Sequence, residues 1–149
     1  MEFRNFRVKS PVKSFRDLEV YQKTIQLSDE ITNLPFLNKE SFAKDNEEIK
    51  SLSEKIPKLI AEAYGDKFDS KEIAHKKLTE AVTLITNAVT KIDLLRQRFA
   101  EEKSNKEILD SLLTGYQIQK IKVLNLRKAW DRVFTNYPQN DPGKADWRK

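Results

Sequence analysis

From Ser14 to Tyr137 the apolar residues recur at steps of three and four in four long runs, the period of helices that each bury one side. The first run opens with Ser-Phe-Arg-Asp, an N-cap with an acid three residues on. It places Phe15, Leu18, Tyr21, Ile25, Ser28 and Ile31 on one face. Leu34-Pro35 ends it, because the residue before a proline avoids helical angles. A short loop through Asn38 and Lys39 leads to Ser41.

The second run is Phe42, Ile49, Leu52, Ile56, Leu59 and Ala63, interrupted only by Asp45, with Gly65 as the expected C-terminal stop. Pro57 lies inside it. An interior proline costs a helix about 3 kcal/mol and leaves the Ser53 carbonyl without its usual donor. The stripe nevertheless keeps phase across Pro57, which predicts one kinked helix and not two.

The third run is the most regular. Ala74, Leu78, Ala81, Ile85, Ala88, Ile92, Leu95 and Phe99 alternate steps of four and three, with Ser70 as cap. Its small residues (74, 81, 88) fill one heptad column and its large ones (78, 85, 92, 99) the other, so a neighbouring helix can approach closely between layers. Val82 and Val89 widen the stripe towards a second neighbour.

The fourth run opens on Ser-Asn-Lys-Glu at Ser104 to Glu107, a capping-box pattern. Leu109, Leu112, Tyr116, Val123, Leu126, Trp130, Val133 and Tyr137 form its core stripe, with Gln119 as the one polar member. At about 100° per residue, Val123 and Trp130 lie about 200° and 180° around from Ile121, whereas Ile118 and Leu124 fall within about 60° of it. This helix therefore has a second apolar face, which predicts a contact between copies of the chain through Ile118, Ile121 and Leu124. Lys128 and Arg132 continue the same line, so repeated copies would gather positive charge.

Four helices with short connections predict an all-α fold: an antiparallel up-down four-helix bundle over residues 14–137, preceded by a basic arm (1–13) and followed by a flexible tail (138–149). With 34% charged and 38% hydrophobic residues and only three glycines, the composition suits such a bundle. Cysteine is absent, which excludes disulfides and thiolate metal sites and agrees with a cytoplasmic location. No apolar run reaches membrane-span length, and MEFRNFRVKS has no apolar stretch of the kind a secretory leader carries, so neither a membrane span nor a leader is expected.

The net charge of +5 is uneven. The arm carries Arg4, Arg7, Lys9 and Lys13 against Glu2, interleaved with Phe3 and Phe6. Residues 116–135 carry Lys120, Lys122, Arg127, Lys128 and Arg132 against Asp131. Residues 14–70, by contrast, have 8 bases and 12 acids, a balance of −4. Clustered bases beside aromatic residues suit phosphates and unpaired bases, so these nine cations are the expected nucleic-acid-binding residues. No helix-turn-helix or RNA-binding motif accompanies them, so sequence-specific recognition is not expected.

Catalytic patterns are lacking. Glu72 and His75 have the Glu-x-x-His spacing of di-iron bundles, but His75 is the only histidine and a second such pair is required. The sequence has no Gly-x-Ser-x-Gly elbow and no glycine-rich phosphate loop. The paired acids Asp29-Glu30, Glu47-Glu48 and Glu101-Glu102 diverge around their helices. No enzyme activity, cofactor or metal site is expected.

Two blocks carry a family resemblance. Ser14 to Ile31, SFRDLEVYQKTIQLSDEI, resembles the opening helix of the small four-helix-bundle proteins encoded in intervening sequences of bacterial 23S ribosomal RNA genes. Ile56-Pro57 followed by Ile60-Ala61-Glu62 resembles that family's second-helix signature, in which a helical proline is habitual. Leu59 stands where the family usually has Asn, Ala63 where it has Gly, and Asn87 near a frequent Glu. The resemblance spans roughly residues 14 to 135 and implies a homopentameric barrel without established enzymatic activity. The chain is likewise similar to the accessory variability protein of diversity-generating retroelements, a basic pentamer. That similarity implies nucleic acid and a reverse transcriptase as partners. The other function class open to such a bundle is a protein-interaction scaffold in which nucleic acid has no direct role.

Overall fold

The computed structural model describes residues 14–99 and 101–136, with side-chain surroundings as far as Arg132. Four helices account for most of it: α1 (Glu19–Thr32), α2 (Ala43–Asp66), α3 (Lys71–Arg98) and α4 (Lys103–Asn136). Each packs on the next in sequence, and α1 closes the bundle against α4. Cross-helix pairs fix the directions. Ser28 meets Ser53, Lys77 meets Glu62 while Lys91 meets Asp45, and His75 meets Asp131 while Arg96 meets Asp110, so successive helices are antiparallel.

The start of α1 differs from the sequence reading. Ser14 does cap: its Oγ accepts from the Arg16 amide and its own amide donates to Asp17 Oδ2. What it caps is one 3-10 turn, Phe15–Asp17, and Leu18 is then extended with ψ 126°. The α-helix therefore starts at Glu19, and residues before and after Leu18 do not share one helical phase. The buried face of α1 is Val20, Thr24, Leu27, Ser28 and Ile31, while the expected member Ile25 is 37% exposed. Tyr21 is half-buried edge-on against Phe15.

In α2 the helix runs through Pro57, which is buried. Its inward face is Ile49, Ser53, Ile56, Pro57, Ile60 and Ala63, with Leu52 and Leu59 half-buried at the rim. Gly65 is not the stop expected of it; it lies within the helix, which continues to Asp66. The connection between α1 and α2 is more than a loop. Two 3-10 turns (Pro35–Asn38 and Glu40–Phe42) drive Leu34, Phe36, Leu37 and Phe42 into the core. Phe36 and Phe42 pack on Phe99 at ring-centroid distances of 4.5 and 5.6 Å, plugging that end of the bundle.

All eight residues of the expected α3 stripe are buried. Ser70 caps this helix, its Oγ accepting from the Ile73 amide. On α4, Leu109, Leu112, Tyr116 and Val123 are buried, and Leu126 and Trp130 pack against the core. The helix begins at Lys103, so Ser104 is already helical and is not its cap; the Glu102 carbonyl accepts from the Lys106 amide instead.

Helix lengths differ. At about 1.5 Å per residue, α1 spans about 21 Å and α4 about 51 Å. Because Glu19 reaches Lys122 of the antiparallel α4, Ser14, the α2–α3 turn and the C-terminal part of α4 all lie at one end of the bundle. The phenylalanine plug closes the other end.

Candidate nucleic-acid interface

The five α4 bases predicted to meet phosphates do not form one row. Lys122 turns towards α1, its ammonium 3.3 Å from Glu19 Oε1. Arg127 turns towards α3 and donates to Thr79 Oγ1 at 2.8 Å. Lys120 is half-buried, and Lys128 and Arg132 are exposed. Among the described residues, none of Lys120, Lys128 and Arg132 meets a carboxylate. The arm residues Arg4, Arg7, Lys9 and Lys13, with Phe3 and Phe6, lie outside the described residues. The arm joins the bundle at Ser14, however, and so at the same end as Lys128 and Arg132.

That end also holds groups that sequence reasoning missed. Tyr64 and Phe68, from the end of α2 and the turn after it, lie edge-to-face at 5.5 Å, and Trp130 of α4 is 6.4 Å from Tyr64. The Lys67 ammonium lies among all three, 3.9 Å from the Phe68 centroid, 4.9 Å from that of Tyr64 and 5.6 Å from that of Trp130. Burial there lowers the Lys67 pKa below the ordinary lysine value. Phe68 is 67% exposed. No periodic signal marks this cluster, because it joins a turn to a residue more than sixty positions away.

Trp130 also packs beside Lys71, His75, Arg127 and Asp131. His75, near the start of α3, has its Nδ1 2.9 Å from Asp131 Oδ2. Glu72 turns instead to Ser70, whose Oγ lies 3.4 Å from its carboxylate. The Glu-x-x-His spacing therefore brings no common site together, and no group of three or more metal-ligating side chains occurs among the described residues.

At the plugged end Asp45, Glu48, Asp93 and Asp110 are paired with cations of α3. Asp45 accepts from Lys91 at 2.6 Å and Arg98 at 2.8 Å, and the Lys91 hydrogen bond, with further help from Arg98, holds its carboxyl below the usual aspartate range. Lys91 also reaches Glu48, and its own pKa is raised, first by Asp45. Arg96 joins Asp93 and Asp110.

On the outer side of α4, Ile118 and Ile121 are 46% and 60% exposed and Leu124 is half-buried. The facing segment of α3, Ala81 to Thr90, contains no charged residue. Thr79, Thr83, Thr86 and Thr90 line its exposed side, each hydroxyl satisfied by the carbonyl four residues back. The α3 side of this surface thus offers methyl groups and few charges, whereas Ile118 lies over the α1–α4 groove with Lys23, Glu30 and Lys122.

No helix among the described residues is long and apolar enough to cross a membrane. No family model, curated protein or solved structure matches this chain.

Proposed function

We propose that this protein is a non-catalytic helical bundle that binds RNA or DNA through its phosphates and assembles with copies of itself. The carrying observation is the position of the exposed, unpaired Lys128 and Arg132 at the end where the arm with Arg4, Arg7, Lys9 and Lys13 joins. A second basic segment, far away in sequence, thus has its attachment at the end that holds Lys128 and Arg132, while at the other end Asp45, Glu48, Asp93 and Asp110 are neutralised by cations of α3. Cations that meet phosphates displace condensed counterions, a source of affinity that needs no base-reading motif. In its narrowest form the proposal follows the resemblance: an accessory protein of a reverse transcriptase, acting as a pentamer.

A salt series with a fluorescent RNA tests the reading. Affinity is expected to fall steeply between about 50 and 200 mM salt, and Lys128→Ala with Arg132→Ala to flatten the log–log slope by about 1 to 2. Absence of binding at the low-salt limit would overturn it. The outer α3–α4 surface favours a second role, as a scaffold through which the chain docks on protein, its own copies included. A bundle that self-associates yet ignores nucleic acid would leave that role alone standing.

A further inference from the structure

The bundle has an aromatic cluster at each end, and the two are treated differently. Phe36, Phe42 and Phe99 are 3%, 9% and 6% exposed and close the core. Tyr64, Phe68 and Trp130 sit at the opposite end, with Phe68 largely open to solvent and a lysine held among the rings. Phe68 is the most exposed large apolar side chain among the described residues, and it stands in a cluster with Tyr64, Trp130 and Lys67 instead of alone on the surface. We propose that Tyr64, Phe68 and Trp130 form a stacking platform for the unpaired bases of single-stranded nucleic acid, with Lys67, Lys71 and Arg127 beside it to receive the phosphates.

The chemistry of the cluster selects this occupant. A π face accepts any base, and stacking on an aromatic side chain contributes about 1–3 kcal/mol per base. Lys67 lies against the rings, in position to be drawn out to a phosphate when a base takes its place. Lys71 and Arg127 lie beside Trp130, Arg127 donating to Thr79, and Asp131 there faces His75. Asp69 and Glu72 also lie near this turn, and Asp66 and Glu62 are tied to Lys77. The rings thus have cations next to them, and the basic arm joins the chain at this same end. A duplex, whose bases are already stacked, would find only the phosphate contacts.

This inference rests on the nucleic-acid reading above, and the test separates the two. The full chain with Trp147→Phe retains Trp130 as its one tryptophan. Binding of a 12-nucleotide oligo-U is followed by its anisotropy and by Trp130 fluorescence, with an RNA duplex of equal length as comparison. Wild-type stacking is expected to quench Trp130. Phe68→Ala should weaken oligo-U binding about 5- to 150-fold, leaving duplex affinity, salt slope and thermal unfolding unchanged. Phe68→Tyr should restore it. If the wild type binds both nucleic acids and Phe68→Ala binds oligo-U equally well, the platform is refuted and the broader reading stands. Equal loss of oligo-U and duplex, or displacement of oligo-U by polyglutamate of the same charge as effectively as by unlabelled RNA, would make this a plain charge-reading surface and also refute it. Binding of neither nucleic acid would remove both proposals.

Discussion

Asp45 and Gln119 each interrupt an apolar stripe with a polar residue, and the structure resolves them in opposite ways. Asp45 meets two cations of α3, and its side chain is only 16% exposed. Its folded pKa is lowered, so the stability it contributes is present above the unfolded value near about pH 4 and is lost as pH falls through the folded value. Asp45→Asn is expected to cost about 1 kcal/mol at neutral pH and to flatten the acid limb of a stability–pH profile from urea titrations. Gln119 is 5% exposed and its Oε1 has no hydrogen-bond partner, as is true of the buried Tyr116 hydroxyl one turn away. An unsatisfied buried polar group costs about 1–3 kcal/mol. Gln119→Leu should therefore raise the unfolding free energy by about 1–2 kcal/mol, measured by the denaturation midpoint. The interruptions themselves were legible in the sequence. Their partners were not, because Lys91 and Arg98 lie some fifty residues from Asp45.

At the scale of the element, α2 and α4 each carry a residue that helices ordinarily avoid. Pro57 is buried within an unbroken α2, so Pro57→Ala should relieve about 3 kcal/mol of helix penalty and forfeit about 2 kcal/mol of ring burial, for a net gain of about 1 kcal/mol. The two helical glycines should respond differently. A Cβ at Gly65 meets open space, and Gly65→Ala should stabilise by about 1 kcal/mol through helix propensity. A Cβ at Gly115 would come 2.8 Å from Leu27 Cδ2 at the α1–α4 contact. The tip of Leu27 must shift to admit it, which offsets the propensity gain, so Gly115→Ala should stabilise less than Gly65→Ala when both are compared by thermal unfolding. The α3 stripe was legible to the residue because its spacing is strict and its cap is local. The start of α1 was not. Leu18 is apolar and in step, yet its extended backbone resets the phase, so Val20, Thr24, Leu27 and Ile31 set the inward face, and Ile25, about 120° round from Ile31, points outward.

For the molecule as a whole, the second apolar face of α4 lies open to solvent. Ile121, at 60%, is the most open residue of that face. If copies assemble there, Ile121→Asp should convert a larger species to the 17.5 kDa chain in light scattering while leaving helical content intact. A wild-type chain that already runs as the single species at micromolar concentration would refute the contact. The common location of the arm's attachment, the exposed α4 bases and the open aromatic cluster is likewise a property of the whole molecule, set by antiparallel packing.

The sequence by itself determined that there are four helices, which side of α3 and α4 is buried, and that α4 keeps an apolar side outward. These follow from spacing along a single helix, which neighbouring residues alone establish. Only the tertiary structure decided that Lys91 and Arg98 clasp Asp45, that His75 faces Asp131, and that Lys67 sits among Tyr64, Phe68 and Trp130. Those meetings depend on the axial offset and rotation of whole helices, which the packing of the entire core sets at once.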